Sequence, residues 1–361
     1  VVIKLRIHWE CSSEAEGELP AELFALLQAI VDYGSLRAAV EECTVSYRHA
    51  WGMLQHWQVY FSYPLVELKR GRGQGAKLTK LGEKLLWEFK RINARIEPEL
   101  ESLSSELSAT LNTLTVSDVT NILRITASHG LVIASLRELA QETLNLTLDV
   151  QFQGSLDSLY CYHKGTYEMA GFHVPEGELG KPLLARMRRF INPKSDSLVY
   201  AVRRQQGLML APENPKKIYS LDDLLKTEVK FINRQRNSGT RSTLDLLLQK
   251  AGIESSLIKG YDNEEFTHSA VAALVASGVA DCGFGIEAAA VQFNLDFIPL
   301  NWESYWFVFP NAQRDNILFK QFSRLLGSAE FKQRVATLSG YDASKSGRIV
   351  APNNDLSVLV L

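Results

Sequence analysis

Apolar residues recur at helical spacing through most of the first 110 residues, and at strand and helical spacing in turn in the part that follows. A helix is predicted from about Pro20, a residue suited to a first helical turn, through Leu23, Leu26, Leu27, Ile30 and Val31 to Gly34. A short helix over 35–42 follows, with Ser35 as its N-cap. The turn Cys43-Thr44-Val45 then leads to a third helix over 46–61, which sets Ala50, Trp51, Leu54 and Trp57 toward a core. Two helices joined by about three residues form a helix-turn-helix pattern. Two short extended runs flank a glycine-rich basic tip between Leu65 and Leu78, the pattern of a hairpin wing. The alternation over 3–9 predicts one further short edge strand.

A long helix is predicted from an N-cap at Thr79 to about residue 108. Along it Leu81, Leu85, Phe89, Ile92, Ile96, Leu100, Leu103 and Leu107 recur at near-heptad steps, which predicts a dimer seam. Pro98 is expected to kink the helix or divide it.

From about residue 118 strands alternate with helices, the order of an α/β domain. The predicted strands are 122–127, 146–152, 168–172, 198–203, 229–232, 280–284, 296–300 and 305–309. The expected division is a winged helix-turn-helix domain over 1–90, a linker and dimerisation helix over 91–117, an α/β domain over 118–345 and an unassigned tail over 346–361.

Composition changes this picture little, with 46% hydrophobic and 22% charged residues, the usage of a globular protein. The net charge of −2 hides one local excess: Lys69 to Arg95 holds nine Lys or Arg residues against Glu83 and Glu88. Such a basic segment fits an electrostatic footprint for nucleic acid. Cys11, Cys43, Cys161 and Cys282 are too scattered for a metal site or a disulfide framework. Neither a signal peptide nor an 18-residue apolar run is present, so a cytoplasmic location without membrane attachment is expected.

Residues Gly34 to Trp51, the basic wing and Leu78-Thr-Lys-Leu-Gly82 together resemble the N-terminal domain of molybdate-responsive regulators, and more loosely that of LysR-type regulators. Helix physics agrees, because Ser46, Tyr47, Arg48 and His49 fall at the exposed start of the third helix, where a recognition helix meets DNA. Arg48 suits guanine, Ser46 and Tyr47 suit phosphate, and His49 completes the set. Arg70, Arg72 and Lys77 on the wing would hold the backbone of double-stranded DNA.

In the second part, a strand ending near Asn233 runs through Arg234 into a helix start at Ser238-Gly239-Thr240-Arg241. Free N–H groups and the helix dipole make such a start an anion cradle. Ser128-His129 and Gly154-Ser155 follow two other predicted strands, and Thr267 precedes another helix. Ser128 and Ser155 are expected to cap those helices and aim hydroxyls at one crevice.

Residues 122–342 resemble the domain related to periplasmic molybdate- and tungstate-binding proteins, carried by 127–129, 154–156, 168–173, 233–241, 267–268, 280–285 and 340–341. That resemblance implies a two-lobed, type II periplasmic-binding-protein-like α/β fold, with crossing strands near 199–211 and 305–309 and the ligand in the cleft. It implies a molybdate- or tungstate-like oxyanion, although Arg234, Arg236 and Arg241 would also suit a carboxylate or phosphate. The expected protein is a homodimeric, or larger, ligand-responsive regulator needing no cofactor. A LysR-style regulator of a small organic anion is the alternative. An enzyme is disfavoured: no nucleophile elbow, zinc motif or Walker loop occurs, and His129, His163, His173 and His268 are the available general bases.

Overall fold

A computed structural model describes the chain except residues 1–2, 12–16, 69–74, 116–120, 237, 354–355 and 361, with no side-chain description for 109 and 112–115. It forms two compact units, residues 6–94, and residues 1–5 with 95–361.

In the first unit β1 (Trp9–Cys11) pairs antiparallel with β2 (Gly17–Leu19). The helices α1 (Ala21–Tyr33), α2 (Leu36–Glu42) and α3 (Tyr47–Phe61) follow, then the hairpin of β3 (Val66–Leu68) and β4 (Ala76–Leu78). Residues 3–8 form no strand. Instead the Ile3 and Leu5 amides donate to the Ser108 and Ser104 hydroxyls, at 2.8 and 3.0 Å, within the second unit. The core gathers Leu23, Leu27 and Ile30 of α1, Ala39 of α2, and Ala50, Leu54 and Trp57 of α3. Trp51, expected in that core, is 41% exposed. It lies about 100° around the helix from Ala50, and the narrow 50–54–57 stripe suffices to close the core.

The long helix α4 (Lys80–Thr115) is continuous through Pro98, so the predicted division does not occur. Thr79 Oγ1 accepts the Gly82 N–H at 3.1 Å, as a cap should. A Cβ on Gly82 would stand 2.2 Å from Leu65 O, so only glycine lets the helix start lie against the wing's first residues. The near-heptad seam is divided in use. Leu81, Leu85 and Phe89 pack into the first unit's own core, with Phe89 stacked on Phe24 at 3.6 Å between centroids. Leu103 and Leu107 remain exposed. A small domain uses the apolar stripe nearest to it, and heptad spacing alone cannot tell such packing from a partner helix.

The second unit begins with β5 (Ile122–Ala127), α5 (Leu131–Leu144), β6 (Thr147–Phe152), α6 (Ser155–His163), β7 (Met169–Pro175) and α7 (Lys181–Met187). It continues with β8 (Asp196–Leu210), β9 (Phe231–Arg234), α8 (Gly239–Ala251), β10 (Glu264–Glu265), α9 (His268–Ala276), β11 (Cys282–Ile286), α10 (Glu287–Gln292) and β12 (Asp296–Pro310). It closes with α11 (Ile317–Gly327), α12 (Ala329–Ala336), β13 (Tyr341–Asp342) and β14 (Ile349–Val350). The sheet runs β10-β9-β11-β8-β12-β7-β5-β6, with β13 and β14 also on β8. Strands β5, β6 and β7 are parallel in one lobe, and β9, β10 and β11 are parallel in the other.

The 15-residue strands β8 and β12 pair antiparallel and pass through both lobes. The segments 296–300 and 305–309, expected as two strands, are one, because 301–304 stay paired across a register shift between Pro299 and Asn301. Each lobe has its own core, around Leu123, Ile133 and Phe322 in the first and around Phe231, Leu244 and Phe284 in the second. At the edge of the sheet α4 supplies hydroxyls to β6: Ser105 Oγ accepts the Val150 N–H at 2.8 Å and Ser102 Oγ the Phe152 N–H at 3.0 Å. The tail is built in, with β14 on β8 and Leu359 buried in an apolar cluster. No described helix is long and apolar enough to cross a membrane.

Candidate functional site

Two sites arise, one in each unit. In the first, Ser46 is the N-cap of α3 and its hydroxyl accepts the His49 N–H at 3.1 Å. That cap turns the helix start outward, leaving Tyr47 and Arg48 exposed. His49 turns away toward Glu22, with Nε2 at 3.2 Å from the carboxylate. Lys77 is exposed on β4, and Arg70 and Arg72 lie outside the described residues.

In the second unit, strand carboxyl ends of both lobes bring polar groups to the crossing strands. On the first lobe Ser128 Oγ and Ser155 Oγ are 3.0 Å apart, and Ser155 Oγ accepts the His173 N–H at 3.1 Å. Neither serine caps a helix, contrary to expectation. Gly130 and Gly154 hold the N-cap positions of α5 and α6 without a side-chain bond. The first turns of both helices therefore have no side-chain cap, while the two hydroxyls bond each other and the His173 N–H. The imidazole of His173 stacks on the Tyr305 ring at 4.1 Å. His129 Nε2 faces Glu101 at 3.8 Å rather than Ser128, so the adjacent serine and histidine form no nucleophile–base pair.

On the second lobe Thr240 Oγ1 lies 3.5 Å from both Gln206 Nε2 and His268 Nε2. Among the described residues Gln206 Oε1 and His268 Nδ1 are buried with no hydrogen-bond partner. Unused polar capacity of this kind is uncommon in an interior. Arg234 is 9% exposed, and its side chain donates to neutral oxygens, Phe266 O at 2.8 Å and Gln235 Oε1 at 3.1 Å. Burial, then the like charge of Arg204, push its pKa down to about 9, with Glu303 and Glu265 opposing.

The floor is an ion pair between the crossing strands, Arg204 Nη2 to Glu303 Oε1 at 2.5 Å, with both side chains almost wholly buried. Burial opposes the charge on Arg204, but Glu303 and Tyr341 hold its pKa above the ordinary value. A Cβ on Gly130 would meet Arg204 Nη1 at 3.5 Å, which puts the guanidinium at the start of α5.

Three histidines share this field. Burial, then Arg234 and Arg204, push His129 down to about 4. Burial followed by the same two cations keeps His173 and His268 well below the ordinary histidine value. All three are neutral at pH 7 and each offers one donor and one acceptor. Between the unfolded value near 6.5 and the folded value near 4 the unfolded chain binds more protons, so stability rises with pH across that window. His129 contributes up to about 1.4 kcal/mol per pH unit there, and His173 and His268 act in the same direction. Denaturant unfolding from pH 7.5 to 5 should show loss on acidification that three-fold His129→Gln, His173→Gln, His268→Gln replacement removes. A flat wild-type profile would refute the buried neutral assignment.

Of the residues expected to bind ligand, Ser128, His129, Ser155, Arg234 and Thr240 belong to this cluster. Gly239 opens α8, and a Cβ there would meet nothing within 4 Å. Gly154, Ser238 and Thr267 hold helix N-caps, with Ser238 accepting the Arg241 N–H and Thr267 the Ala270 N–H. Asn233 donates to Tyr261 O, and Arg241 packs over the Tyr261 ring at 4.0 Å with Asp245 at 3.1 Å. Arg236 pairs with Asp262 at 3.4 Å on the surface. Arg204, Gln206, Glu303 and Tyr305 were not singled out from the sequence. The available signal was the polar run Arg203-Arg204-Gln205-Gln206 inside a strand that is otherwise apolar.

A profile of the PBP superfamily domain matches residues 136–327, more than half of the chain. The chain belongs to the PBP superfamily. An uncharacterised protein, YvgK of Bacillus subtilis, is 31% identical over 200 residues, covering 55% of this chain and 64% of that protein, just under two thirds of its length. An uncharacterised protein from a ferredoxin gene region of Clostridium pasteurianum is 40% identical over 108 residues, 30% of this chain and 96% of its own length. The molybdenum-pterin-binding protein MopB of Rhodobacter capsulatus is 38% identical over 90 residues, 24% of this chain and 33% of that protein. This PBP-superfamily chain also resembles solved structures. An H2O2-bound variant of OxyR from Corynebacterium glutamicum gives a TM-score of 0.46 at 14% identity, over 88% of this chain and 94% of that one. The LysR family transcriptional regulator CbnR gives 0.40 at 16%, over 84% and 99%.

Proposed function

We propose that the chain is a DNA-binding transcriptional regulator that senses a small anion in the cleft of its PBP-superfamily domain. The observation that carries this reading is the union, in one chain, of a helix-turn-helix with an exposed Tyr47-Arg48 helix start and a two-lobed domain whose cleft holds unused buried polar groups. Ligand contacts from both lobes would favour a closed arrangement, and that differential affinity is what can shift the DNA-binding state. The protein acts in the cytoplasm on double-stranded DNA, as a homodimer or larger assembly that uses Ile92, Ile96, Leu103 and Leu107 of α4.

A molybdate- or tungstate-like oxyanion is the first choice of effector, supported by the free helix starts of α5 and α6, the hydroxyls of Ser128, Ser155 and Thr240, and the partial similarity to MopB. Arg234 favours a second reading, a small organic carboxylate, since a guanidinium fork fits that group in a bidentate way. Thermal-shift titration with molybdate, tungstate, sulfate, phosphate and small carboxylates separates the two. Stabilisation by none of them would sink the anion reading.

For DNA, Arg48→Ala should cost about 1–3 kcal/mol on a selected duplex and relax its sequence preference. Lys77→Ala should weaken all duplexes alike and lower the salt slope by about one unit. Unchanged sequence preference in Arg48→Ala would remove α3 from the role of reading helix.

A further inference from the structure

The core stripe of α3 is complete with Ala50, Leu54 and Trp57, yet the helix exposes two more large aromatics, Tyr47 at 52% and Trp51 at 41%. They are four residues apart, so they lie on one face about 6 Å apart along the axis, within the first turn and a half. Arg48, exposed on the same end, is their polar neighbour. Gly52 follows Trp51, and a Cβ there would meet nothing within 4 Å, so the helix surface beside Trp51 is open.

We infer that Trp51, with Tyr47 beside it, reads thymine methyl groups in the major groove and is a specificity-determining residue of the DNA site. The thymine C5-methyl is the apolar feature of a base edge in that groove, and an aromatic side chain is the complementary contact. The occupant is DNA because of charge. Lys69 to Arg95 carries nine basic residues against two acidic ones, a balance that suits phosphates. This inference rests on the DNA-binding reading and deepens it.

The experiment uses the full chain. A duplex is first selected from a randomised library with the wild-type protein, and its thymines are then replaced one at a time by uracil, which lacks only the methyl group. Wild type should lose about 4-fold in affinity at each contacted thymine, the worth of one buried methyl. Trp51→Ala should bind the thymine and uracil duplexes equally, and Trp51→Phe should restore part of the difference. Thermal unfolding should leave Trp51→Ala unchanged, since its side chain lies outside the core. Equal weakening of both duplexes by Trp51→Ala, or a wild type indifferent to uracil, overturns the inference. So does a change of oligomeric state in sedimentation with DNA affinity intact, which would make the patch a protein contact. Enrichment of no sequence by wild type overturns the DNA reading itself, a separate result.

Discussion

Glu303→Ala is expected to destabilise the second unit by about 3–5 kcal/mol, more than the loss of any hydroxyl in the cleft would cost. The carboxylate is 1% exposed and is bonded to Arg204, itself 4% exposed, on the neighbouring crossing strand. Removing it leaves a guanidinium buried with no compensating charge, next to Arg234, whose like charge already disfavours both cations. The cost therefore belongs to the orphaned partner rather than to the pair. The double replacement Arg204→Met, Glu303→Leu should recover most of the loss, because apolar groups of similar volume often equal a buried ion pair. Urea unfolding followed by hydrogen exchange of the β8 and β12 amides reads this unit separately from the first, which holds Trp9, Trp51, Trp57 and Trp87 and so dominates tryptophan fluorescence. A Glu303→Ala midpoint equal to wild type would show that water reaches Arg204 and that the pair is no floor.

Arg234→Met should weaken the best anion from the thermal-shift panel about 10- to 150-fold, the worth of a hydrogen bond to a charged partner. Its guanidinium is buried among neutral oxygens and beside a like charge that Glu303 and Glu265 offset only in part, so an anion would meet an incompletely compensated cation. Methionine keeps most of the side-chain length. Calorimetry with the named anion measures the change, and thermal unfolding of the unliganded variant separates lost binding from lost folding, since Phe266 O also loses a donor. Affinity within about 2-fold of wild type would place the anion elsewhere. A smaller loss in Arg234→Met than in Ser155→Ala would favour an oxyanion held by hydroxyls and amides.

Legibility differed between the two sites for a physical reason. The start of α3 could be read because a helix-turn-helix is local. Spacing decides which residues face out, and Tyr47 and Arg48 did so as expected. Trp51 departed from expectation because an aromatic at the margin of an apolar stripe is buried only if a neighbour reaches it. In the cleft, Ser128, Ser155 and Thr240 were found as polar residues at strand ends, where parallel α/β units gather such groups. Arg241 was not separable from Arg234 by residue type, yet Arg234 is the last residue of β9 and Arg241 lies in α8. The turn of α8 sends one toward Tyr261 and Asp245 and keeps the other in the cleft.

The sequence by itself determined the helix-turn-helix and its wing, the α/β character of the second unit and the helix starts at Ser46, Thr79 and Ser238. These follow from periodicity and local capping, which involve residues within one or two turns of each other. Tertiary structure alone decided that 296–310 is one crossing strand, that Arg204 meets Glu303, and that three histidines from separate segments share one field. The Arg204–Glu303 bond joins residues 99 positions apart. Such charges are tolerated in the interior only because the fold brings the partners together, and no local pattern encodes that.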